Sequence, residues 1–576
     1  MHNFFSFKDV FRPKLISTLR SYSKERFLQD ALAGWIVAVV AIPLAIAFGI
    51  SSGVGPTEGL VTAIIAGFII SAFGGSKVQI GGPTGAFIVI IYGIIQQHGM
   101  AGLLIATIMA GILLIIMGLF KMGNVIKFVP YPVIVGFTAG IAVTIFTTQM
   151  NDLFGMGIKD APADFIHKWI CYFQHLGDIN WWAFGVGIAS LLIIIFSTKI
   201  SKRMPGSLVA IVLMTVVVWL LREFGGVTSI TTIGDLYTLP DGMPAPHLPV
   251  LNLAEGETVL HLVQELFPSA FTIAMLGAIE SLLSAMVADG VIGDKHNSNT
   301  ELIAQGLANV VVPFFGGIPA TGAIARTMTN INNGGRTPVA GMIHAAMLLL
   351  VLLCFGPLVG MIPMACLAGV LIVVSYNMSG WRSFVWLSKA PKSDFIVMLV
   401  TFVLTVIFDL TVAIEVGLLL AVILFLKRTN EATVIRSFSD EIDPTHQNDI
   451  RLKGDDLEKL HIPSHTEVYE IDGPYFFGIA NKFDELSQRM GSEDQKVRIL
   501  RMRKVSFMDS TGIHNLEQLF LRSKRCGMTL VLSGVNEHVF ETLEKAGLVQ
   551  MIGRENIRGH INGALARAEE ILQNKS

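Results

Sequence analysis

The stretch FGGSKVQIGGPTGAF, Phe73 to Phe87, separates two strongly apolar segments, VTAIIAGFII and IVIIYGII. It places five glycines and a proline where a hydrophobic chain should simply continue. A second passage, FGGIPATGAIARTMTN from Phe315 to Asn330, has the same opening and also contains Thr-Gly-Ala. In hydrocarbon every backbone N–H and C=O needs a partner inside the protein, so broken backbone is tolerated only where protein buries it or a wet cavity meets it. Two such breaks in corresponding halves of a chain point to a binding site near the bilayer midplane. Pro83 suits the first turn of a helix, where its missing N–H costs nothing. Thr84, Gly85 and Ala86 then occupy that turn, with N–H groups that have no intrahelical partner. Pro319, Thr321, Gly322, Ala323 and Ile324 repeat the arrangement. Two helix N-termini aimed at one point offer amide donors and partial positive charge, a geometry that binds a small anion. Arg326 adds a full charge near the middle of the membrane. Glycines can also serve only close helix packing. Two breaks of similar order, one followed by an arginine, favour a binding site.

The rest of the chain fits that setting. Of 576 residues, 52% are hydrophobic and 15% charged, with a mean hydropathy of +0.61. Blocks such as GWIVAVVAIPLAIAFGI and LLIATIMAGILLIIMGLF are long enough to cross a hydrocarbon core of about 30 Å. About fourteen apolar segments occur, in an order compatible with two inverted repeats of about seven spans each. The expected divisions are an N-terminal segment (1–30), a transmembrane domain (31–428), a linker (429–460) and a C-terminal domain (461–576). Basic residues gather at joints on one side: the N-terminus, Lys77, Lys121, Lys127, Lys199, Lys202, Arg203, Lys295, Arg336, Arg382, Lys389, Lys392, Lys427 and Arg428. By the positive-inside rule both termini are cytoplasmic. A net charge of −2 without a basic stripe argues against a nucleic-acid partner. Four cysteines without metal spacing and the absence of a Walker motif argue against a metal site, an ATP-driven pump or an enzyme.

Glu280 lies inside the apolar run FTIAMLGAIESLLSAMV. A carboxylate there costs several kcal/mol, about 2.5–3.5 by insertion measurements, and so faces a polar cavity. It can take up a proton on one side of the membrane and release it on the other, and Ser284 follows one turn later on the same face. Pairing of Glu280 with Arg326 is the structural alternative. Glu58 opens a helix as a dipole partner, Asp409 and Glu415 are candidates for pairing between helices, and His344 reads as packed and hydrogen-bonded.

Beyond the last apolar block, EVYEIDGPYFFGIA, VRILRMRKVSFM and MTLVLSGV have strand composition and alternate with helical patterns, including NKFDELSQRM. This predicts a small α/β domain. Asp509 and Ser510 fall at a strand-to-helix junction, where they cap the helix or where a phosphate on Ser510 would be favoured.

These motifs resemble the sulfate permease (SulP) family of anion transporters. The resemblance rests on AIPLAIAFGISSGVGP, GGPTGAF, the run from GAIESLLSAMVADG through IPATGAIART, and, for the tail, the STAS signature VRILRMRKVSFMDSTGIHNLEQLF. Within the family, GAIESLL, KHNSN and IPATGAIAR look most like bacterial members assigned to C4-dicarboxylate uptake. The resemblance implies an α-helical polytopic fold with core and gate domains moving as an elevator, an anion held by Thr84, Gly85, Ala86, Gly322, Ala323 and Ile324, Phe48 bordering the pocket and Arg326 nearby. It also implies Glu280 and Ser284 at the coupling-ion position, with glutamate there as in proton-coupled relatives, a homodimer in a bacterial inner membrane, no cofactor beyond the coupling proton or Na⁺, and a cytoplasmic protein partner at the STAS domain. The residues leave open a proton symporter, a Na⁺ symporter, an uncoupled exchanger or channel, and a membrane sensor signalling through Ser510. They leave the anion open among dicarboxylates, sulfate and bicarbonate.

Overall fold

The computed structural model describes residues 10–20, 22–124, 129–158, 161–162, 164–200, 206–238, 245–246, 259–408, 410–438, 441–442, 460–479 and 495–575. Its backbone divides into two compact units, Met1–Ala421 and Val422–Ser576. Lys127, Lys202, Arg203, Asp409 and the expected helix NKFDELSQRM lie outside the described residues.

The first unit is helical. Its principal helices are α1 (Lys24–Ser51), α2 (Pro56–Phe73), α3 (Ile88–Leu119), α4 (Tyr131–Thr148), α5 (Phe165–Gln174), α6 (Trp181–Ile200) and α7 (Gly206–Glu223). They continue with α8 (Val259–Ile292), α9 (Ser298–Val311), α10 (Ile324–Asn332), α11 (Pro338–Gly360), α12 (Met364–Met378), α13 (Lys392–Ile407) and the first part of α14 (Leu410–Ala432), whose remainder is counted with the second unit. Among the described residues, 8 helices are long and apolar enough to cross a membrane. Other apolar segments become shorter rods for local reasons. Gly99, with φ 64°, breaks α3 into two rods, and α10 has only 9 residues.

The helices sort into two packed groups. In one, α1, α2, α3, α8, α9, α10 and α11 pack on one another. In the other, α4 packs on α12 and α13, and α6 on α7 and α12. Close approach needs glycine at the contacts. A Cβ on Gly59 would lie 2.0 Å from the Ala45 carbonyl oxygen, and one on Gly49 2.1 Å from that of Gly55. These two glycines let α1 and α2 meet backbone to backbone, as small residues do between membrane helices.

The second unit holds a five-stranded sheet in the order β3 (Val434–Phe438), β4 (Thr466–Asp472), β5 (Val497–Arg501), β6 (Thr529–Ser533) and β7 (Ile557–Arg558). The pair β3–β4 is antiparallel and the other pairs are parallel. Helices α15 (Ser510–Arg525), α16 (Glu537–Lys545) and α17 (Ile561–Lys575) complete it. Two apolar clusters form, one with Leu500, Leu516, Leu532 and Leu543, the other with Ile499, Val531, Ala564 and Ala568. Alternate residues of β5 and β6 thus feed opposite faces. Residues 434–438, expected in the linker, form an edge strand instead. An edge strand tolerates charge such as Arg436.

Candidate functional site

The two breaks meet. Gly81–Gly82 (β1) pairs antiparallel with Thr321–Gly322 (β2), Gly81 opposite Gly322 and Gly82 opposite Thr321. Backbone groups that hydrocarbon would strand are thereby satisfied across the two halves of the chain. A side chain has no room here: a Cβ on Gly322 would come 1.6 Å from Nε2 of Gln79.

A buried polar network holds the crossing. Gln79 Nε2 donates to the Ser281 carbonyl at 3.1 Å, and Ser281 Oγ accepts the Gly322 N–H at 3.0 Å. Ser281 Oγ and Thr321 Oγ1 share a hydrogen bond of 2.6 Å. Thr327 Oγ1 accepts the Ile80 N–H at 3.1 Å and the Ser284 hydroxyl at 3.3 Å. Asn330 Nδ2 donates to the Val78 carbonyl at 2.9 Å. Gln79, Ser281 and Thr327 escaped the sequence reading. Their only signal was a polar residue in an apolar setting, and such residues usually bond within their own helix.

From the crossing the chain leaves in two helical starts. Thr84 precedes a 3-10 turn, Gly85–Phe87, that leads into α3, and Ala323 precedes α10. The second start differs from the expectation that Gly322 and Ala323 both present free amides. The Gly322 N–H is taken by Ser281 and the Ala323 N–H donates to the Ile80 carbonyl at 2.9 Å. A side-chain hydroxyl and the backbone of the first break consume them, and first-turn donors begin at Ile324. The Ile324 side chain is exposed.

Arg326 is 1% exposed. Its Nη2 donates to the carbonyl of Pro83, on the opposite break. Its Nη1 has no hydrogen-bond partner, and no carboxylate pairs with it among the described residues. The alternative pairing with Glu280 is not formed, because Glu280 Oε2 instead accepts the Thr84 hydroxyl at 3.0 Å. Glu280 also borders a cavity of about 40 Å³ with Val133, Phe137 and Ile414, on the seam between the two helix groups. That is room for a water molecule. Ser284 turns to Thr327 rather than to Glu280.

Gly85 sits on the same seam. A Cβ there would lie 3.4 Å from the Phe48 ring, 3.0 Å from Ile145 and 3.2 Å from Met378 Sδ. Phe48, Thr84, Gly85, Glu280 and Arg326 are thus brought around one crossing. His344 is fully buried, yet neither ring nitrogen has a hydrogen-bond partner among the described residues, contrary to the expected bonding. Glu415 forms no ion pair among the described residues and is exposed. Glu58 stands in the first turn of α2.

In the second unit Asp509 caps α15. Its Oδ1 accepts the Gly512 N–H at 2.8 Å and its Oδ2 the Phe477 N–H at 3.0 Å. Ser510 is exposed at the first position of the helix.

The model of the sulfate permease family matches residues 27–401, and that of the STAS domain residues 458–564. The chain belongs to the sulfate permease family. Members of this family are transporters rather than enzymes, and the fold is that of a multi-pass helical membrane transporter with a C-terminal STAS domain. The putative sulfate transporter YvdB of Bacillus subtilis is 43% identical over 541 residues, covering 94% of this chain and 98% of the relative. The bicarbonate transporter BicA of Picosynechococcus is 30% identical over 485 residues, covering 81% and 82%. The transmembrane domain of a cyanobacterial BicA superposes with a TM-score of 0.60 at 32% identity, covering 70% of this chain and 98% of that one. Murine Slc26a9, described as an anion transporter in the inward-facing state, shares the fold with a TM-score of 0.84 at 16% identity, covering 99% and 96%.

Proposed function

We propose that this chain is a secondary active transporter of a small oxyanion, seated where the two breaks cross and driven by a proton on Glu280. The observation that carries the reading is Arg326: a buried guanidinium, tied to the opposite break through Pro83, with one nitrogen unpartnered and no carboxylate to neutralise it among the described residues. A cation held this way is costly unless something negative joins it. Helix starts at Gly85 and Ile324 supply amide donors to the same place.

Glu280 reaches the crossing through Thr84 and touches the seam between the helix groups. Protonation there removes a negative charge from beside the anion, which couples the two ligands in one direction of transport. Relative movement of the group holding the crossing against the group of α4, α12 and α13 would carry the site across the membrane as an elevator. The inverted arrangement of about seven spans per half, a homodimer in a bacterial inner membrane with cytoplasmic termini, and docking of a cytoplasmic protein on the STAS domain belong to the same proposal. Relatives named for sulfate and bicarbonate favour a compact oxyanion, and a C4-dicarboxylate is the competitor to exclude.

The test is uptake into proteoliposomes, with radiolabelled sulfate, bicarbonate and succinate competed against one another and with pH and Na⁺ gradients imposed separately. The expected result is accumulation driven by the pH gradient alone. Glu280→Gln preserves the acceptor for Thr84, so it should abolish accumulation while sparing anion exchange. Uphill uptake by that variant would sink the coupling role.

A further inference from the structure

A second polar cavity lies on the face of the first unit opposite the basic joints. Lys77 follows the C-terminal end of α2 and pairs with Asp294 at 2.8 Å. The other end of α2 adjoins Gly53, where a Cβ would lie 3.0 Å from the ring of Tyr92. Tyr92, Gln149, Asp152, Lys168, Tyr172 and Tyr237 line this cavity of about 520 Å³. Its floor is Gln149, whose Nε2 donates to Ser51 Oγ at 3.2 Å and to Thr148 Oγ1 at 2.8 Å. One turn below Gln149 is Ile145, which packs on Gly85, and Ser51 stands three residues from Phe48. Gln149 and Ser51 at the cavity thus lie about one helical turn from Ile145 and Phe48, which border Gly85.

Its wall is built unusually. The helix α5 turns Lys168 and Tyr172 inward, one turn apart, and leaves Ile166, Ile170 and Phe173 exposed. That is the reverse of an ordinary amphipathic helix. It fits a helix whose apolar side meets lipid and whose polar side meets a ligand. Lys168 is 5% exposed, yet its ammonium has no hydrogen-bond acceptor and no paired carboxylate among the described residues. Its Nζ stands 5.2 Å from the centre of the Tyr92 ring. An ammonium in such a wall, with no carboxylate bonded to it among the described residues, attracts a negative partner. Burial outweighs the more distant Asp164 and holds the Lys168 amine below its ordinary range.

We propose that this cavity is an outer capture site, where Lys168 binds a small oxyanion before it passes Gln149 to the crossing. The proposal rests on the transport reading and adds a site to it. Asp152 lines the same cavity, so the anion sits against Lys168.

The test is acetylation of the full-length purified protein in detergent by an N-hydroxysuccinimide acetate, mapped by mass spectrometry with sulfate as the probe. Sulfate should protect Lys168 severalfold over chloride at equal ionic strength, leave the exposed Lys427 unprotected, and still protect Lys168 in the Arg326→Gln protein. Absence of protection, or its loss with Arg326→Gln, would overturn the second site. In proteoliposomes, Lys168→Ala should raise the KM for sulfate about tenfold at low salt with kcat unchanged, Lys168→Arg should restore it, and Asp152→Asn should not raise it. Wild-type protein that moves no anion defeats the transport reading. Wild-type transport with an unaltered Lys168→Ala KM defeats this inference alone.

Discussion

Replacing Arg326 by glutamine separates affinity from stability. The guanidinium faces the crossing with one nitrogen bonded to Pro83 and the other unpartnered. An anion at roughly 6 Å, in an effective dielectric of about 20, gains about 3 kcal/mol from that charge. Its loss should weaken sulfate binding about 100-fold. Folding should respond far less. The variant loses a charged hydrogen bond worth about 1.5–3 kcal/mol but no longer buries an unneutralised cation, and the two changes oppose. The assay is equilibrium binding of radiolabelled sulfate to purified protein, beside a thermal unfolding trace of the same sample. A weakened affinity with a melting temperature shifted by only a few degrees is expected. Arg326→Lys keeps the charge without the planar fork and should recover part of the affinity. A well-folded Arg326→Gln protein that binds sulfate within about twofold of wild type would refute the electrostatic argument for the site.

Three further outcomes follow from the packing and the surface charge. Gly75→Ala would set a Cβ 2.1 Å from the Asn297 carbonyl oxygen, beside the Gly75 and Ser76 amides that Glu301 accepts at 2.8 and 3.0 Å. It should cost more than about 3 kcal/mol, seen as aggregation in size-exclusion chromatography, whereas Gly93→Ala, with nothing within 4 Å, should be tolerated. Asp509→Ala removes the cap of α15 and should raise amide hydrogen exchange in residues 510–525 of the full-length protein about 5–30-fold, as expected for about 1–2 kcal/mol. At Asp294 burial raises the carboxyl, but the Lys77 hydrogen bond, the Lys295 N–H and Lys14 outweigh it and hold it below its ordinary range. The stabilisation is present above the unfolded carboxyl value of about 4 and fades as pH falls through the folded one. Acid should therefore increase exchange in residues 14–19 before it affects the helices of the crossing.

Both breaks could be read directly from the sequence, because Phe-Gly-Gly, a proline and Thr-Gly-Ala recur in the same order between apolar runs. Glu280 and Arg326 were legible for a related reason: a charge within hydrocarbon is rarely idle. What was not legible is pairing at long range. Nothing in GGPTG or ATGA says that Gly81 lies opposite Gly322, and so nothing announced that Gly322 and Ala323 would spend their amides inside the protein. The same limit hid Ser281 and Thr327, whose hydroxyls look local in sequence yet bond across elements. In the tail, the central strands announced themselves by β-branched and aromatic composition beside helical patterns. Residues 434–438, an edge strand with one charged residue, did not.

The crossing also sets an order of events during synthesis. Arg326 follows Pro83 by 243 positions. At about 5–20 residues per second, the first break waits roughly 12–50 s for the segment that completes it. Through that interval Gly81 and Gly82 have no native backbone partner, so the insertion machinery, water or another stretch of the nascent chain must hold them. The passage in which the mature protein is most tightly bound is therefore, while it is being made, the one most in need of shelter.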